Sequence, residues 1–127
     1  MNKHTRLILA AGFISGCLAV MTGAFGAHYL HALLVETGKS ETYHTAVWYQ
    51  FIHSLALIMT GILYHQRPTR ILWTAAILFL AGLILFSGSL YLICFTGLPA
   101  FGIITPIGGI ALIAGWMSGA WNFIKNK

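Results

Sequence analysis

The stretch that decides the fold is ILWTAAILFLAGLILFSGSLYLICFTGLPAFGIITPIGGIALIAGWMSGAWNFI, residues 71–124. It contains no Asp, Glu, Lys or Arg, and most of its side chains are apolar. A helix needs about 20 apolar residues to cross the hydrocarbon of a bilayer, so this stretch is long enough for two crossings and a short turn. We therefore predict that the second half of the chain forms a pair of membrane-spanning helices.

Composition extends this prediction to the whole chain of 127 residues. Hydrophobic residues make up 58% of the sequence and charged residues 7%, whereas soluble domains carry about 25% charged residues. This length leaves room for about four or five spans with short loops, and none for a soluble domain. The net charge of +5 is explained by cations at the span ends. We therefore expect the lipid bilayer as a partner and no nucleic acid.

Four spans follow from the distribution of apolar residues and turn signals. They cover residues 7–29, 43–64, 71–96 and 107–124. Because backbone polar groups in lipid must be hydrogen-bonded within their own segment, each span should be an α-helix. The predicted fold is all-α, a four-helix integral membrane bundle in a single membrane domain of residues 1–127.

Basic residues predict the orientation of the spans. Six of the seven Lys and Arg residues lie at one end of the predicted bundle. They are Lys3, Arg6, Arg67, Arg70, Lys125 and Lys127. Lys39 lies at the other end, between the acidic residues Glu36 and Glu41. Positively charged residues of membrane proteins stay in the cytoplasm, so we expect both termini and the loop around Arg67 to be cytoplasmic.

Small residues predict how the helices pack. Hydrophobicity does not drive helices together within lipid, whereas small side chains let two backbones approach closely. The first span presents glycines on one face, at helical spacing with Ala19 between them, and the third and fourth spans carry similar positions. The expected packing positions are Gly12, Gly16, Gly23, Gly26, Gly82, Gly108 and Gly115.

The second span departs from the apolar pattern. Gln50 and His53 share one helical face with Tyr43, Ser54 and Leu57. His53 lies about 15 Å into the span, near the bilayer centre, where a polar side chain is costly unless it is paired or hydrated. We expect a neutral imidazole bonded to a neighbour. Two interpretations stay open, interhelical hydrogen bonding and a functional role.

Polar residues of all four spans are expected in the outer half of the bilayer, whereas the inner half is expected to be apolar. Tyr43 and Tyr91 are placed near the outer interface, where tyrosines of membrane proteins are enriched. The candidate functional cluster is His28, Tyr49, Gln50, His53, Ser89, Tyr91 and Thr105. If these residues line a pocket, it should open outward.

No pattern in the sequence indicates catalysis. The spans lack a nucleophile beside a base, so we expect no catalytic residues and a protein that is not an enzyme. The histidines are scattered without ligand spacing, which argues against a metal site, and we expect no cofactor. Cys17 and Cys94 form no CxxC pair, which argues against a dithiol relay.

Cys17 allows a different interpretation of the first span. The basic residues before position 7 and the apolar run up to Cys17 resemble a lipoprotein signal, whose cleavage would leave Cys17 as a lipidated N-terminus. The apolar run continues past Cys17, which favours an uncleaved span. The charge pattern is compatible with both.

Five short motifs, in order along the chain, resemble one family. They are GAFGAH at residues 23–28, TAVWYQFIH at 45–53, LFSGSLY at 85–91, TPIGG at 105–109 and GW at 115–116. Together they are similar to the bacterial "domain of unknown function 423" family, which is related to eukaryotic transmembrane protein 256. The resemblance implies a multi-pass protein of the inner (plasma) membrane without an established activity, and it assigns no catalytic residues.

Three functions remain open from the sequence. The favoured one is a non-catalytic accessory or interaction protein with a membrane protein partner or a second copy of itself. The second is a small oligomeric transporter or channel with an outward-opening polar pocket around Gln50 and His53. The absence of an acidic residue from the spans counts against proton coupling. The third is a lipophilic-cofactor or redox site that uses His53.

Overall fold

A computed structural model of the chain describes residues 1–125. Its helices are α1 (Lys3–Ala27), α2 (His31–Glu36), α3 (Ser40–Gln66), α4 (Arg70–Thr96) and α5 (Ile104–Lys125), with a 3₁₀ turn at Pro99–Ile103 before α5. All regular secondary structure within the described residues is helical. Helices α1, α3, α4 and the segment Pro99–Lys125 are long and apolar enough to cross a membrane. The predicted all-α fold with four spanning helices is confirmed.

Local chemistry explains where the helices begin and end. The side chain of Asn2 accepts a hydrogen bond from the backbone N–H of Thr5 and caps α1, at 2.8 Å. Thr69 caps α4 in the same way through the N–H of Leu72, at 3.1 Å. Gly97 ends α4 in the left-handed conformation, with φ of 69°, which glycine adopts without steric cost.

The observed helices extend a few residues beyond the expected spans at most ends, and two differences affect the connections. Helix α1 ends at Ala27 rather than at residue 29, and the connection to α3 contains the short helix α2. Helix α5 begins at Ile104 rather than at residue 107, so Pro106 lies in its first turn. Proline is tolerated there because its missing N–H would have no helical partner. Lys127, one of the cations used to predict the orientation, lies outside the described residues.

The spanning helices pack mainly in the order α1, α3, α4, α5. Helix α3 is the most buried of the four, and the segment that contains α5 is the least buried. Helices α1 and α5 therefore expose large apolar side chains over most of their surface, among them Phe13, Ile14, Ile110 and Met117. A bilayer covers such surfaces without cost because its hydrocarbon is as apolar as they are.

The apolar core lies in the half of the molecule nearer the α3–α4 loop. Its buried members are Ile8, Ala56, Leu57, Tyr64, Leu72, Ala76, Phe79, Leu83 and Leu112. Gln50, His53 and Ser54 on α3, and Ser87 and Ser89 on α4, are buried in the middle and in the other half. The two halves of the same helices thus have different chemistry.

The glycines of α1 face α3. A Cβ atom at Gly12 would lie 2.7 Å from Cγ1 of Ile58, one at Gly16 would lie 3.7 Å from Cβ of Ser54, and one at Gly23 would lie 3.3 Å from Cγ1 of Val47. A Cβ atom at Gly26 would overlap the ring of Tyr43. The glycine face predicted from spacing is therefore the surface on which α1 meets α3.

Three glycines lie between α4 and α5. A Cβ atom at Gly82 would be 2.9 Å from the backbone nitrogen of Leu112, and one at Gly115 would be 2.8 Å from the ring of Phe79. At Gly108 it would overlap the backbone nitrogen of Phe86. The two backbones approach each other most closely at Gly108, where only glycine fits.

Candidate functional site

Helix α3 places Gln50 between α1 and α4. The side-chain amide of Gln50 donates to the carbonyl oxygen of Ser15 on α1, at 3.2 Å. Its amide oxygen accepts from the hydroxyl of Tyr91 on α4, at 2.7 Å. Only 6% of Gln50 is exposed. Both ends of the amide are thus hydrogen-bonded, which offsets the cost of burying it.

Two tyrosines extend the contacts of Gln50 toward the α2 end. The oxygen of Tyr91 lies 3.1 Å from the hydroxyl of Thr22, and Tyr43 donates to the carbonyl oxygen of Thr22 at 2.5 Å. The rings of Tyr43 and Tyr91 meet edge to face, with centroids 5.5 Å apart. Tyr43 lies in the first turn of α3, where its side chain is buried and its hydroxyl bonds to a carbonyl group of α1. That it lies at the depth of the outer interface stays a prediction.

Serines complete this buried network toward the bilayer centre. The hydroxyl of Ser54 lies 2.8 Å from that of Ser15 and 2.6 Å from the carbonyl oxygen of Gln50. We define the Gln50 network as Ser15, Thr22, Tyr43, Gln50, Ser54 and Tyr91. Ser15, Gln50 and Ser54 are buried, so this part of the network is sealed rather than open.

His53 is the central residue of α3, with thirteen residues on either side. Its Nδ1 lies 2.7 Å from the carbonyl oxygen of Tyr49, and the indole N–H of Trp116 on α5 donates to its Nε2, at 3.2 Å. A carbonyl oxygen only accepts and an indole N–H only donates, so the proton of His53 must be on Nδ1. The expected neutral imidazole with a hydrogen-bonded neighbour agrees with this geometry.

A groove lies beside His53 in the middle of the molecule. Its volume is about 560 Å³, and its walls come from α3, α4 and α5. The residues that line this His53 groove are Trp48, Tyr49, Ile52, His53, Phe86, Gly109, Leu112, Ile113 and Trp116. Trp48, Ile113 and Trp116 are exposed on the outer surface of the helices. The groove therefore opens sideways, toward the hydrocarbon of a surrounding bilayer.

Aromatic rings form much of the wall of the groove. The ring of Tyr49 stacks on Phe86 with centroids 4.3 Å apart, and it lies nearly parallel to the imidazole of His53 at 5.7 Å. The indole of Trp116 meets the rings of Phe79 and His53 edge-on. Among the described residues, the hydroxyl of Tyr49 has no hydrogen-bond partner. The groove thus combines flat apolar surfaces with one available hydroxyl group.

The structure does not bring the seven residues of the predicted cluster together. Gln50 and Tyr91 belong to the sealed network, whereas His53 and Tyr49 line the lateral groove. Ser89 and Thr105 form a separate pair between α4 and α5, with hydroxyl oxygens 2.6 Å apart. His28 is exposed beyond the end of α1. The cluster is therefore divided into three sites and one isolated histidine.

The half of the molecule nearer the α3–α4 loop, which was expected to be the inner half and apolar, contains buried polar side chains. Asn122 on α5 is only 4% exposed and accepts a hydrogen bond from the hydroxyl of Thr69, at 2.7 Å. Thr5 is fully buried on α1, and its hydroxyl has no partner among the described residues. Both residues lie near helix ends. Asn122 is bonded there to the residue that caps α4, whereas the turns around Thr5 leave its hydroxyl unsatisfied within the described part of the chain.

Sequence reasoning missed Trp116 as the partner of His53. The two residues are 63 positions apart, and no local pattern links them. One signal was present, because each lies near the middle of its own spanning helix and residues at equal depth can meet. Ser15 and Thr22 were also missed, because serine and threonine in a span bond to backbone so often that their presence alone is uninformative.

Residues 1–125 contain no assembled metal site or dithiol site. This part of the chain has no group of three or more His, Cys, Asp or Glu side chains that could hold a metal ion. Cys17 is exposed within the continuous helix α1, and Cys94 is partly buried on α4; both are free thiols. The possible lipidation of Cys17 stays a hypothesis.

Comparison with known proteins identifies relatives along nearly the whole chain. The model of the family "Protein of unknown function (DUF423)" matches residues 22–109. The UPF0382 membrane protein SAB0533 of Staphylococcus aureus is 38% identical over 117 residues, which cover 88% of this chain and 90% of that protein. No solved structure matches the chain.

Relatives from two other bacteria agree. The UPF0382 membrane protein YwdK of Bacillus subtilis is 37% identical, with 88% of this chain and 91% of that protein covered. The UPF0382 inner membrane protein YgdD of Escherichia coli K12 is 36% identical, with 91% of this chain and 86% of that protein covered. The suggested relation to eukaryotic transmembrane protein 256 stays a prediction. With four apolar spanning helices and these relatives, the chain is a membrane protein and belongs to the DUF423 family.

Proposed function

We propose that this protein is a non-catalytic, multi-pass protein of the inner (plasma) membrane that binds a lipophilic molecule in the His53 groove. The observation that carries the proposal is the lateral opening of an aromatic groove at the centre of α3, with a neutral histidine in its wall. A molecule that enters such a groove comes from the hydrocarbon, so it must dissolve in the membrane.

The groove suggests the chemistry of the ligand. A volume of about 560 Å³ lies within the range of small-molecule sites, about 300–1,000 Å³. Aromatic walls favour a flat ring, since ring pairs gain energy beyond their burial when they stack or meet edge-on. The hydroxyl of Tyr49 can donate to an oxygen on that ring. The best-fitting class is therefore a flat apolar ring that carries a hydrogen-bond acceptor.

The same residues support binding rather than catalysis. Both nitrogens of His53 are occupied, one by a backbone carbonyl group and one by an indole N–H. General acid–base catalysis needs a group that can exchange a proton with its substrate. His53 could exchange a proton only after its hydrogen bond from Trp116 breaks. The sequence after Glu41 contains no acidic residue that could take its place.

The test uses glycines on α5 as a matched pair. A Cβ atom at Gly109 would be in ordinary contact with Phe86 at 3.7 Å, so a larger side chain there fills the groove without overlapping backbone. A Cβ atom at Gly119 meets nothing within 4 Å. Gly109→Leu should block the groove, whereas Gly119→Leu adds the same side chain to the same helix outside it.

The probe is a naphthoquinone with a short alkyl tail, which quenches tryptophan fluorescence on contact. In a background where Trp73 and Trp121 are replaced by Phe, Trp48 and Trp116 report on the groove. Gly109→Leu should raise the apparent Kd at least about tenfold, equivalent to about 1.4 kcal/mol, and Gly119→Leu should leave it unchanged. Equal quenching of both variants would show that the quinone partitions into the micelle without a site.

We also propose that both termini are cytoplasmic. The proposal is supported by the position of Arg67 and Arg70 at the same end of the helices as Lys3, Arg6 and Lys125. Reporter fusions after residues 38, 68 and 125 test it. Cytoplasmic activity is expected at 68 and 125 and external activity at 38; a reversed pattern would overturn the assignment.

The transporter hypothesis receives less support. Gln50 has both amide ends bonded inside a sealed network, and His53 faces a lateral groove instead of sharing an outward-opening pocket with Gln50. Ion leak from proteoliposomes, compared between the wild type and His53→Ala, tests it directly. A leak that depends on His53 would restore this hypothesis.

A further inference from the structure

The basic residues at the α3–α4 end have no acidic side chain to neutralise them. Only two acidic residues exist in the sequence, Glu36 and Glu41. Glu36 precedes α3, and Glu41 lies in its first turn. The 27 residues of α3 span about 40 Å, so both carboxylates lie about that far from Arg67. Electrostatic interactions between exposed charges are screened within about 10 Å at ordinary ionic strength. No acidic side chain of the protein therefore lies close enough to neutralise Arg67 and Arg70.

One of these cations lies in a groove. The first turns of α4 and the last turns of α5 form an open surface groove with a volume of about 460 Å³. The residues that line this Arg70 groove are Arg70, Ile71, Thr74, Met117, Ser118 and Trp121. Trp121 is 55% exposed, and the hydroxyl of Ser118 has no hydrogen-bond partner among the described residues. The groove thus has a charged polar side and an apolar side.

We propose that the Arg70 groove binds the headgroup of an anionic phospholipid from the adjoining leaflet. The guanidinium of Arg70 can form two parallel hydrogen bonds to a phosphate group, and Ser118 can donate a third. Arg70 is also the first residue of α4, where the helix dipole favours an anion.

The apolar side distinguishes a lipid from a free phosphate ion. Ile71 and Met117 line the same cavity as Arg70, and Met117 is exposed on the surface of α5. An acyl chain can pack against these apolar side chains, whereas a phosphate ion gains nothing from contact with them. Trp121 stands at the end of α5, and tryptophan in this position is typical of the headgroup level of a bilayer.

Arg67 provides the matched control. It carries the same charge at the same end of the helices, three residues before Arg70, but it lines a different cavity with Gln66 and Asn122. Arg67→Gln therefore removes equal charge from the surface and leaves the Arg70 groove intact. Both arginines are exposed, so neither substitution removes a buried contact.

The experiment measures lipid contact at Trp121. In full-length protein with Trp48, Trp73 and Trp116 replaced by Phe, the remaining fluorescence reports on the groove. Nanodiscs of phosphatidylcholine receive a small fraction of bromine-labelled phosphatidylglycerol, or the same fraction of bromine-labelled phosphatidylcholine. The anionic lipid should quench Trp121 more strongly, and size-exclusion chromatography should confirm that each variant is folded.

The variants decide the outcome. Arg70→Gln should lower the preference for the anionic lipid about fivefold, Ser118→Ala should lower it less, and Arg67→Gln should leave it within about twofold. Equal quenching by the two lipids would overturn the site, because it would show no preference for the anionic headgroup. Equal losses for Arg67→Gln and Arg70→Gln would overturn it in favour of general surface attraction. Displacement of the lipid by inorganic phosphate at constant ionic strength would reassign the groove to a phosphate ion.

Discussion

The α1–α3 pair and the α4–α5 pair are held together by different interactions. Between α1 and α3, the glycines of α1 meet mainly side chains of α3, and the Gln50 network adds hydrogen bonds between the helices. Between α4 and α5, Gly108 brings backbone against backbone, and direct side-chain hydrogen bonds occur near the ends of the pair.

The difference shows that polar bonds and close backbone approach can substitute for one another in lipid. Both create attraction that hydrocarbon cannot match, since lipid tails neither accept hydrogen bonds nor pack as densely as two interlocked helices. A seam that depends on side-chain contacts can adjust when a residue changes. A seam that depends on backbone contact cannot, so the largest effects are expected between α4 and α5.

Gly108→Ala should break the α4–α5 seam. The added Cβ atom would overlap the backbone of Phe86, which cannot move without displacing α4. We expect a loss of about 3 kcal/mol in the free energy of unfolding, the upper part of the range for overpacking. Unfolding in mixed micelles measures it. Gly119→Ala is the control, because its Cβ atom meets nothing within 4 Å; similar losses at both positions would contradict the argument.

Gln50→Leu should weaken the α1–α3 seam and its link to α4. The change removes the bond that the hydroxyl of Tyr91 donates to Gln50 and the bond that Gln50 donates to Ser15. We expect a loss of about 1–2 kcal/mol in the free energy of unfolding. A double-mutant cycle with Tyr91→Phe should give a coupling energy near 1 kcal/mol. Additive effects would mean that the amide of Gln50 contributes only by packing.

Ser89 and Thr105 test whether α4–α5 depends on polar bonds at all. Their hydroxyl oxygens are 2.6 Å apart, and the hydroxyl of Ser89 also donates to the carbonyl oxygen of Phe86. A double-mutant cycle of Ser89→Ala and Thr105→Val should give a coupling energy of about 0.6 kcal/mol. A coupling larger than that of Gln50 with Tyr91 would reverse the contrast between the two seams.

Thr5→Val should have a small effect of the opposite sign. The hydroxyl of Thr5 is buried without a partner among the described residues, and Val has nearly the same shape. Removing an unsatisfied polar group should raise the free energy of unfolding, by about 0.5–1 kcal/mol. Thr60→Val is the control: its hydroxyl donates to the carbonyl oxygen of Ala56, so no gain is expected there.

The fold was predictable because its determinants are local. Uncharged length predicts a span, and glycine spacing predicts which face of α1 is buried, since both depend on residues close in sequence. Spacing does not say which helix meets that face. The surface of α1 that carries Gly12 and Gly26 could have packed on any neighbour, and only the three-dimensional arrangement assigns it to α3.

The candidate site was less predictable because depth alone does not give position around the bundle. Gln50 and His53 are three residues apart and share a face, yet Gln50 reaches α1 and α4 while His53 reaches Trp116 on α5. Tyr43 gives a second example, because its place in the sequence indicates its depth but not its partner, the carbonyl group of Thr22 on α1. A phenol that finds a carbonyl group inside the protein does not need interfacial water.

The order in which the helices pack has a consequence for biosynthesis. The first two spans that leave the ribosome, α1 and α3, are each other's main partners, and so are the last two. Each hairpin can thus form before or without the other, and the halves need only dock along α3 and α4. Two separately translated fragments, divided within the loop at Pro68, should therefore reassemble in one membrane.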